Sequence, residues 1–320
     1  MSSGNIWTKE LVQKHAQTAV TIELYTLPFY VTAYGSIKDT SDPSAQGILS
    51  VAIEEMFHLQ TAANLCSALD TKPNFTIPTY DGTPIPYLKP DDPETGHYAL
   101  VNAVLSAFDE KTLQTMLDIE TPEEFQDQER EHTTPDYPYA SIGEFYNALL
   151  TGIDQVGEDQ FGWTTSLQRT QQKWGGSNLQ ETISNLEEAR TAITTVVEQG
   201  EGKAMNPVPT PPFTGEDFPI PAEYQLISDP MDPSPYYKYS HYGRFADIQN
   251  SVDQNGFPSV YSGTSKPSDT TVITLIADFA SFIDQLNRAW ADAANPMPNM
   301  VTITTDVLAC WQAGAIPQWS

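Results

Sequence analysis

Glu54-Glu55-Met56-Phe57-His58 places a glutamate and a histidine three positions apart, at Glu55 and His58. On a helix that spacing sets the two side chains about 60° apart, so both reach toward one point. The surrounding residues, Val51, Ala52, Ile53, Phe57 and Leu59, are apolar. Burying a carboxylate and an imidazole among them costs free energy unless something compensates, and a divalent cation does. One E-x-x-H alone describes a stray histidine on a helix surface equally well. Glu54 reads as a solvent-facing acid, with orientation of His58 as the alternative.

Acids and a histidine on other segments change that balance. Glu23 sits in Ala19-Val20-Thr21-Ile22-Glu23-Leu24, with apolar residues one turn to either side, so it faces the core. Glu144 opens a later helical stretch with Ala148 one turn on. Glu201 follows Val197 by one turn and Ile193 by two, and a helical wheel sets it nearer the apolar stripe than Glu198. His241 precedes Phe245 and Ile248. Each has a plain reading as well. Glu144 fits a capping box with Ser141, Glu201 is an acid beside two glycines at a helix end, and His241 can be a structural histidine. Tyr25, Tyr30 and Tyr146 fall at helical spacing and read first as core.

These residues need helices to carry them, and hydrophobic periodicity supplies five long ones. The first spans about Trp7 to Tyr34, with Pro28 expected to kink it or end its regular part. The second spans about Pro43 to Leu69, with Asp42 as N-cap and Pro43 in the first turn. An irregular wrapping loop follows, rich in proline and in Phe75, Tyr80 and Tyr87, and then a shorter helix over about His97 to Leu117. After an acidic loop a third bundle helix begins near Ser141, and a fourth runs from about Asn178 to Gly200. Residues 202–236 are again Pro-rich; a short helix near His241 to Ile248, a fifth long helix over Thr271–Ala293 and a last one over Asp306–Ala313 complete the chain. The fold class is all-α.

Length and composition bound the rest. A chain of 320 residues buries a large core, as one large domain or two small ones. Its 42 acidic against 15 basic residues give a net charge of -27, which repels phosphate backbones and anionic lipid, so neither nucleic acid nor a membrane is an expected partner. Two cysteines, Cys66 and Cys310, are too few for a disulfide framework or a thiolate metal site. Residues 1–9 lack an apolar leader and no stretch is long and apolar enough to span a bilayer, so a cytoplasmic location is expected.

Several stretches together resemble a known family. Glu23-Leu24-Tyr25-Thr26-Leu27-Pro28-Phe29-Tyr30, Glu54 through Leu65, Gly143-Glu144-Phe145-Tyr146, Glu198-Gln199-Gly200-Glu201-Gly202 and Ser240-His241-Tyr242-Gly243-Arg244-Phe245 resemble the ferritin-like di-metal carboxylate proteins. More narrowly they look like the ferritin-like domain of iminophenyl-pyruvate dimer synthases. The resemblance implies a ferritin-like four-helix bundle with additional C-terminal helices and long Pro-rich loops. It implies a single ferritin-like domain over 1–320, its bundle core at about 7–250 and its extra helices at about 268–316.

The same resemblance implies metal ligands at Glu23, Glu55, His58, Glu144, Glu201 and His241. Four carboxylates would balance two divalent ions, two Fe ions with Mn as the alternative, since oxygen and imidazole donors suit these metals better than copper(I). The implied activity is that of a diiron oxidase or oxygenase, with a small-molecule substrate and dioxygen as partners. Ordinary ferritins hold the last two ligands one turn apart, whereas Glu201 and His241 are forty positions apart, so the chain must leave and return. The rival readings are a non-catalytic metal-binding or structural bundle, and a metal-free scaffold whose acids pair with Arg190 and Arg244.

Overall fold

The computed structural model describes residues 7–82, 85, 103–121, 135, 139, 141–170, 182–200 and 240–320. Among these the chain forms eight α-helices: α1 (Lys9–Ser36), α2 (Pro43–Ala68), α3 (Glu110–Glu120), α4 (Ile142–Val156), α5 (Leu186–Gly200), α6 (His241–Asn255), α7 (Thr270–Ala289) and α8 (Val301–Gln312). Two isolated β-bridges, Ile37 with Val260 and Thr264 with Ala315, are the extended pairings found among the described residues.

The helix starts follow local chemistry. Thr8 Oγ1 accepts the Leu11 N–H, Asp42 caps α2 through the Ser44 N–H with Pro43 next in line, and Ser141 Oγ accepts the Glu144 N–H. Each cap satisfies a donor that the first turn leaves without a helical partner. Asp109, Ser240 and Asp269 do the same for α3, α6 and α7.

The structure narrows one expectation and moves two helix starts. Pro28 does not end α1, which continues to Ser36. Proline removes one ladder donor and crowds the preceding turn. Tyr80 inserts into the next step of the ladder: its hydroxyl donates to Tyr25 O at 2.5 Å and takes the Phe29 N–H. The expected helix over 97–117 begins only at Glu110 and extends to Glu120; 103–109 are irregular and 97–102 lie outside the described residues. The fourth bundle helix starts at Leu186, eight positions later than the expected Asn178, after irregular residues 182–185.

The helices α1 and α2 run antiparallel, because Lys9 at the start of α1 pairs with Asp70 after α2 at 2.7 Å and Gln13 donates to Leu69 O at 2.8 Å. α4 packs on α1, α5 packs on α4, and α5 returns to α2, closing a four-helix ring. α6 lies across α2, α3 and α5. The bundle interior is apolar, with Ala19, Val20, Leu27, Ile48, Val51, Leu65, Phe145, Leu149 and Ile193 buried.

The last helices brace the bundle from outside. Trp311 Nε1 donates to Thr32 O at 2.9 Å and Trp319 Nε1 to Thr32 Oγ1 at 3.0 Å, pinning α8 and the carboxyl end to α1. The wrapping loop after α2 is held by α7: Asn287 brackets the Phe75 backbone through bonds of 3.0 and 2.9 Å, and Phe75 packs on Trp290.

Trp7, just before α1, packs closely against α4. A β-carbon added at Gly152 would lie 2.5–2.8 Å from three atoms of the buried Trp7 indole. Gly152→Ala should therefore destabilise the protein by about 1–3 kcal/mol through overpacking. Urea unfolding of the variant with an unchanged midpoint would refute this contact.

Candidate metal centre

α2 is buried on nearly all sides, so its polar residues have no solvent face to choose. Glu54 and Glu55 are 0% and 2% exposed, and His58 is 2% exposed. Glu23 on α1 is buried at 2%, Glu120 at the end of α3 at 3%, and His241 at the start of α6 at 0%. The ligand atoms of Glu55, His58 and His241 lie within 4.8 Å of one another.

His241 Nδ1 lies 2.8 Å from Glu55 Oε1 and 3.6 Å from Glu120 Oε2. His58 Nδ1 lies 3.8 Å from both Glu23 Oε2 and Glu55 Oε1. The two imidazoles stack with centroids 4.9 Å apart. A cavity of about 10 Å³, room for one water-sized occupant, is lined by Glu23, Glu55, His58 and Glu120 on its polar side. Ile142, Gly143, Val196, Val197 and Gly200 form its apolar side.

Outer contacts fix each polar group. Tyr146 donates to Glu23 Oε1 at 2.5 Å, Thr26 to Glu55 Oε2 at 3.0 Å, and Tyr30 to Glu120 Oε1 at 2.6 Å. Gln199 Oε1 lies 3.1 Å from His58 Nε2. Glu54 Oε2 receives Arg244 at 2.6 Å and lies 3.2 Å from His241 Nε2, and Arg244 also reaches Ser50 Oγ at 3.3 Å. With Glu54 ionised by Arg244, His241 Nε2 carries the hydrogen, and Gln199 imposes the same on His58. In the neutral rings, both Nδ1 lone pairs then face the carboxylates.

The protonation equilibria show the strain of this assembly. Burial, with Glu55 beside it, holds the Glu23 carboxyl well above its ordinary value. Burial opposes ionisation of Glu55 and Glu54 too, but His241 and His58 outweigh it at Glu55, and Arg244 with His241 does so at Glu54, so both are lowered. Burial brings His58 down to about 4. Burial disfavours charge on His241 as well, yet Glu120, Glu54 and Glu55 together raise it well above the usual imidazole range. Burial also raises Glu120.

Of the six expected site residues, Glu23, Glu55, His58 and His241 come together. Glu144 is buried at the first turn of α4, with Ser141 capping its N–H at 3.0 Å; α4 lines the cavity with the preceding Ile142 and Gly143. Glu201 lies outside the described residues, immediately after Gly200, which lines the cavity. Glu198 is exposed. The solvent-facing reading of Glu54 is overturned, because α2 has no solvent face there and Glu54 meets His241 and Arg244.

Glu120 was not anticipated. It continues the buried stripe Leu113-Met116-Leu117 at the next helical step, a signal that the acidic run after it obscured. Of the two arginines suggested as partners, Arg190 meets Asp154 at the surface and Arg244 meets Glu54. Among the described residues no lysine or arginine pairs with Glu23, Glu55 or Glu120, and the basic group beside Glu55 and Glu120 is the imidazole of His241.

The residues present fit a bound cation. His241 Nδ1 is fully buried between two carboxylates, 2.8 Å from Glu55 Oε1 and 3.6 Å from Glu120 Oε2. Two imidazoles and a carboxylate with ligand atoms within 4.8 Å of one another are a donor set that a divalent cation accepts once the rings are neutral.

The chain belongs to the Ferritin-like family, whose model matches residues 16–250. A solved structure of a ferritin like protein from Caulobacter vibrioides is similar over 99% of this chain and 100% of that one, at 27% identity and a TM-score of 0.72. No curated protein matches.

Arg244→Met leaves the Glu54 charge buried without its guanidinium. It should cost about 3 kcal/mol at neutral pH. Because Glu54 has a lowered folded value, its stabilising contribution is present above the ordinary carboxylate range and is lost as pH falls through that lowered value. The deficit should accordingly shrink in acid. Urea midpoints of both proteins at about pH 7 and pH 4 check the size and the sign.

Proposed function

We propose that the chain is a non-haem di-metal protein, with two iron ions, that acts as an oxidase or oxygenase on a small organic molecule with dioxygen. The observation that carries this reading is the convergence of the buried Glu55, His58 and His241 ligand atoms within 4.8 Å, with Glu23 and Glu120 on the same cavity. Glu144 and Glu201 complete the expected ligand set in this reading. The motif likeness to the ferritin-like domain of the imine-dimer synthases belongs to it too, as do a single-domain organisation and a cytoplasmic location. Among the described residues no helix is long and apolar enough to cross a membrane.

An iron pair supplies one-electron and dioxygen chemistry that side chains cannot. The chain's own part is positioning. Glu54 and Gln199 hold the imidazole tautomers, and Tyr146, Thr26 and Tyr30 orient Glu23, Glu55 and Glu120. Val196, Val197 and Ile142 keep one wall apolar, which limits water beside the acids.

Metal analysis after anaerobic loading with Fe(II) should find about two equivalents per chain in this reading. Glu55→Ala and His58→Ala should each lose most of that content while remaining helical. Turnover of a reductant with dioxygen by the loaded protein then separates an enzyme from a metal store. A wild-type chain that takes up neither iron nor manganese ends the reading.

Metal uptake should also depend on pH with a definite sign. Glu23 and His241 hold protons above their ordinary values, and a cation must displace them. Apparent affinity should therefore rise with pH and fall as the solution is acidified. Calorimetric titration with Mn(II) in two buffers of different ionisation enthalpy should report proton release, and an affinity flat from about pH 5.5 to 7.5 would contradict it.

A further inference from the structure

Glu120 belongs to none of the bundle helices: it is the last residue of α3, which packs on α6. A carboxylate there meets three costs at once. It is buried at 3% exposure, it stands at the negative end of a helix dipole, and it faces Glu55 and Glu23 across a small cavity. Its described polar partners are the Tyr30 hydroxyl and, at 3.6 Å, the Nδ1 of His241, which Glu55 Oε1 approaches at 2.8 Å. Gly200 comes close enough that an added β-carbon would lie 3.4 Å from Glu120 Oε2, so α5 leaves that oxygen its space.

Tyr30 anchors only one oxygen. Its bond is to Oε1, and Oε2 is the atom turned to His241 and the cavity. Tyr30 satisfies a structural acceptor through Oε1 alone, whereas Oε2 shares the one Nδ1 of His241 with Glu55 Oε1, two like-charged oxygens on one nitrogen. A cation in place of the Nδ1 proton would serve both oxygens and offset the repulsion between them.

We infer that Glu120 is a further metal ligand, binding through Oε2 to the ion shared with His241, with Tyr30 as the residue that positions it. This rests on the di-metal reading above and adds a carboxylate from outside the four-helix ring. The site then draws on α1, α2, α3 and α6, and α3 is tied to the bundle through the ion.

The test titrates the metal-free full chain with Mn(II) and with Co(II), for wild type, Glu120→Gln and Tyr30→Phe. Glutamine keeps the shape and can still accept from Tyr30, so folding is preserved and circular dichroism checks it. Wild type should bind two equivalents. Glu120→Gln should weaken one of them by about 10-fold or more, shift the Co(II) absorption bands, and shrink the metal-induced rise in melting temperature. Tyr30→Phe should produce a smaller loss in the same equivalent, because it frees Oε1 and leaves Oε2 in place. Two equivalents at unchanged affinity with an unchanged Co(II) spectrum in Glu120→Gln overturn the inference and leave the di-metal reading standing. A larger loss in Tyr30→Phe than in Glu120→Gln also overturns it, by assigning the effect to the tyrosine. A wild-type chain that binds neither ion overturns both.

Discussion

Burying carboxylates is the constraint from which the rest of this molecule follows. Glu23, Glu54, Glu55 and Glu120 all lie inside, at 3% exposure or less. An isolated buried carboxylate costs several kcal/mol, and neighbours of the same sign add to it. The protein meets that cost in two ways. Glu54 gets a guanidinium and an imidazole, and it stays ionised. The other three share two histidines and three hydroxyl donors, and they meet the cost by holding protons: Glu23, Glu120 and His241 are all raised. In the di-metal reading proposed above, cations at the cavity take the place of those protons.

Those two solutions explain the shape of the surrounding helices. α2 must be covered on nearly every side to place Glu54 and Glu55 on different faces and still bury both. One face meets Arg244 and His241 of α6, and the other meets α1 and the cavity. α1 must pass the site without interruption, since Glu23, Thr26 and Tyr30 all act along it. Pro28 falls between them, and Tyr80 from the wrapping loop bonds the Tyr25 carbonyl and the Phe29 N–H on either side of it while the helix continues. The loop's aromatic content thus has a structural use at the centre of the protein.

How much of this the sequence disclosed depended on where each residue sat. Glu23, Glu55 and His58 were legible because apolar neighbours at helical spacing left them no exit to water. His241 was legible from Phe245 and Ile248 on its helix. Glu54 was misread because a helical wheel assumes one solvent face, and α2 has none there. Glu120 was missed because its helix was ended at Leu117, three residues short, where acidic residues crowd the sequence. Its periodicity with Leu113 and Met116 carried the signal, but charge density argued louder for a loop. The all-α class and the four-helix core followed from periodicity and caps, which are local properties; the partners of Glu54 and Glu120 are long-range, 187 and 90 residues away, and no local rule reaches them.

Precision in such a site cannot come from helix spacing alone. Where two ligands share a helix one turn apart, as Glu55 and His58 do, the backbone fixes their relation. His241 has no such partner on α6 at the cavity, and it returns to the site after an excursion of forty residues beyond Gly200. Its placement is set by Ser240 capping the helix start and by the Glu54–Arg244 couple holding the far ring nitrogen. Arg244 sits one turn after His241, so the same helix carries both the imidazole and the cation that orders its acceptor. One buried side-chain network thereby fixes a histidine that forty residues separate from the end of α5.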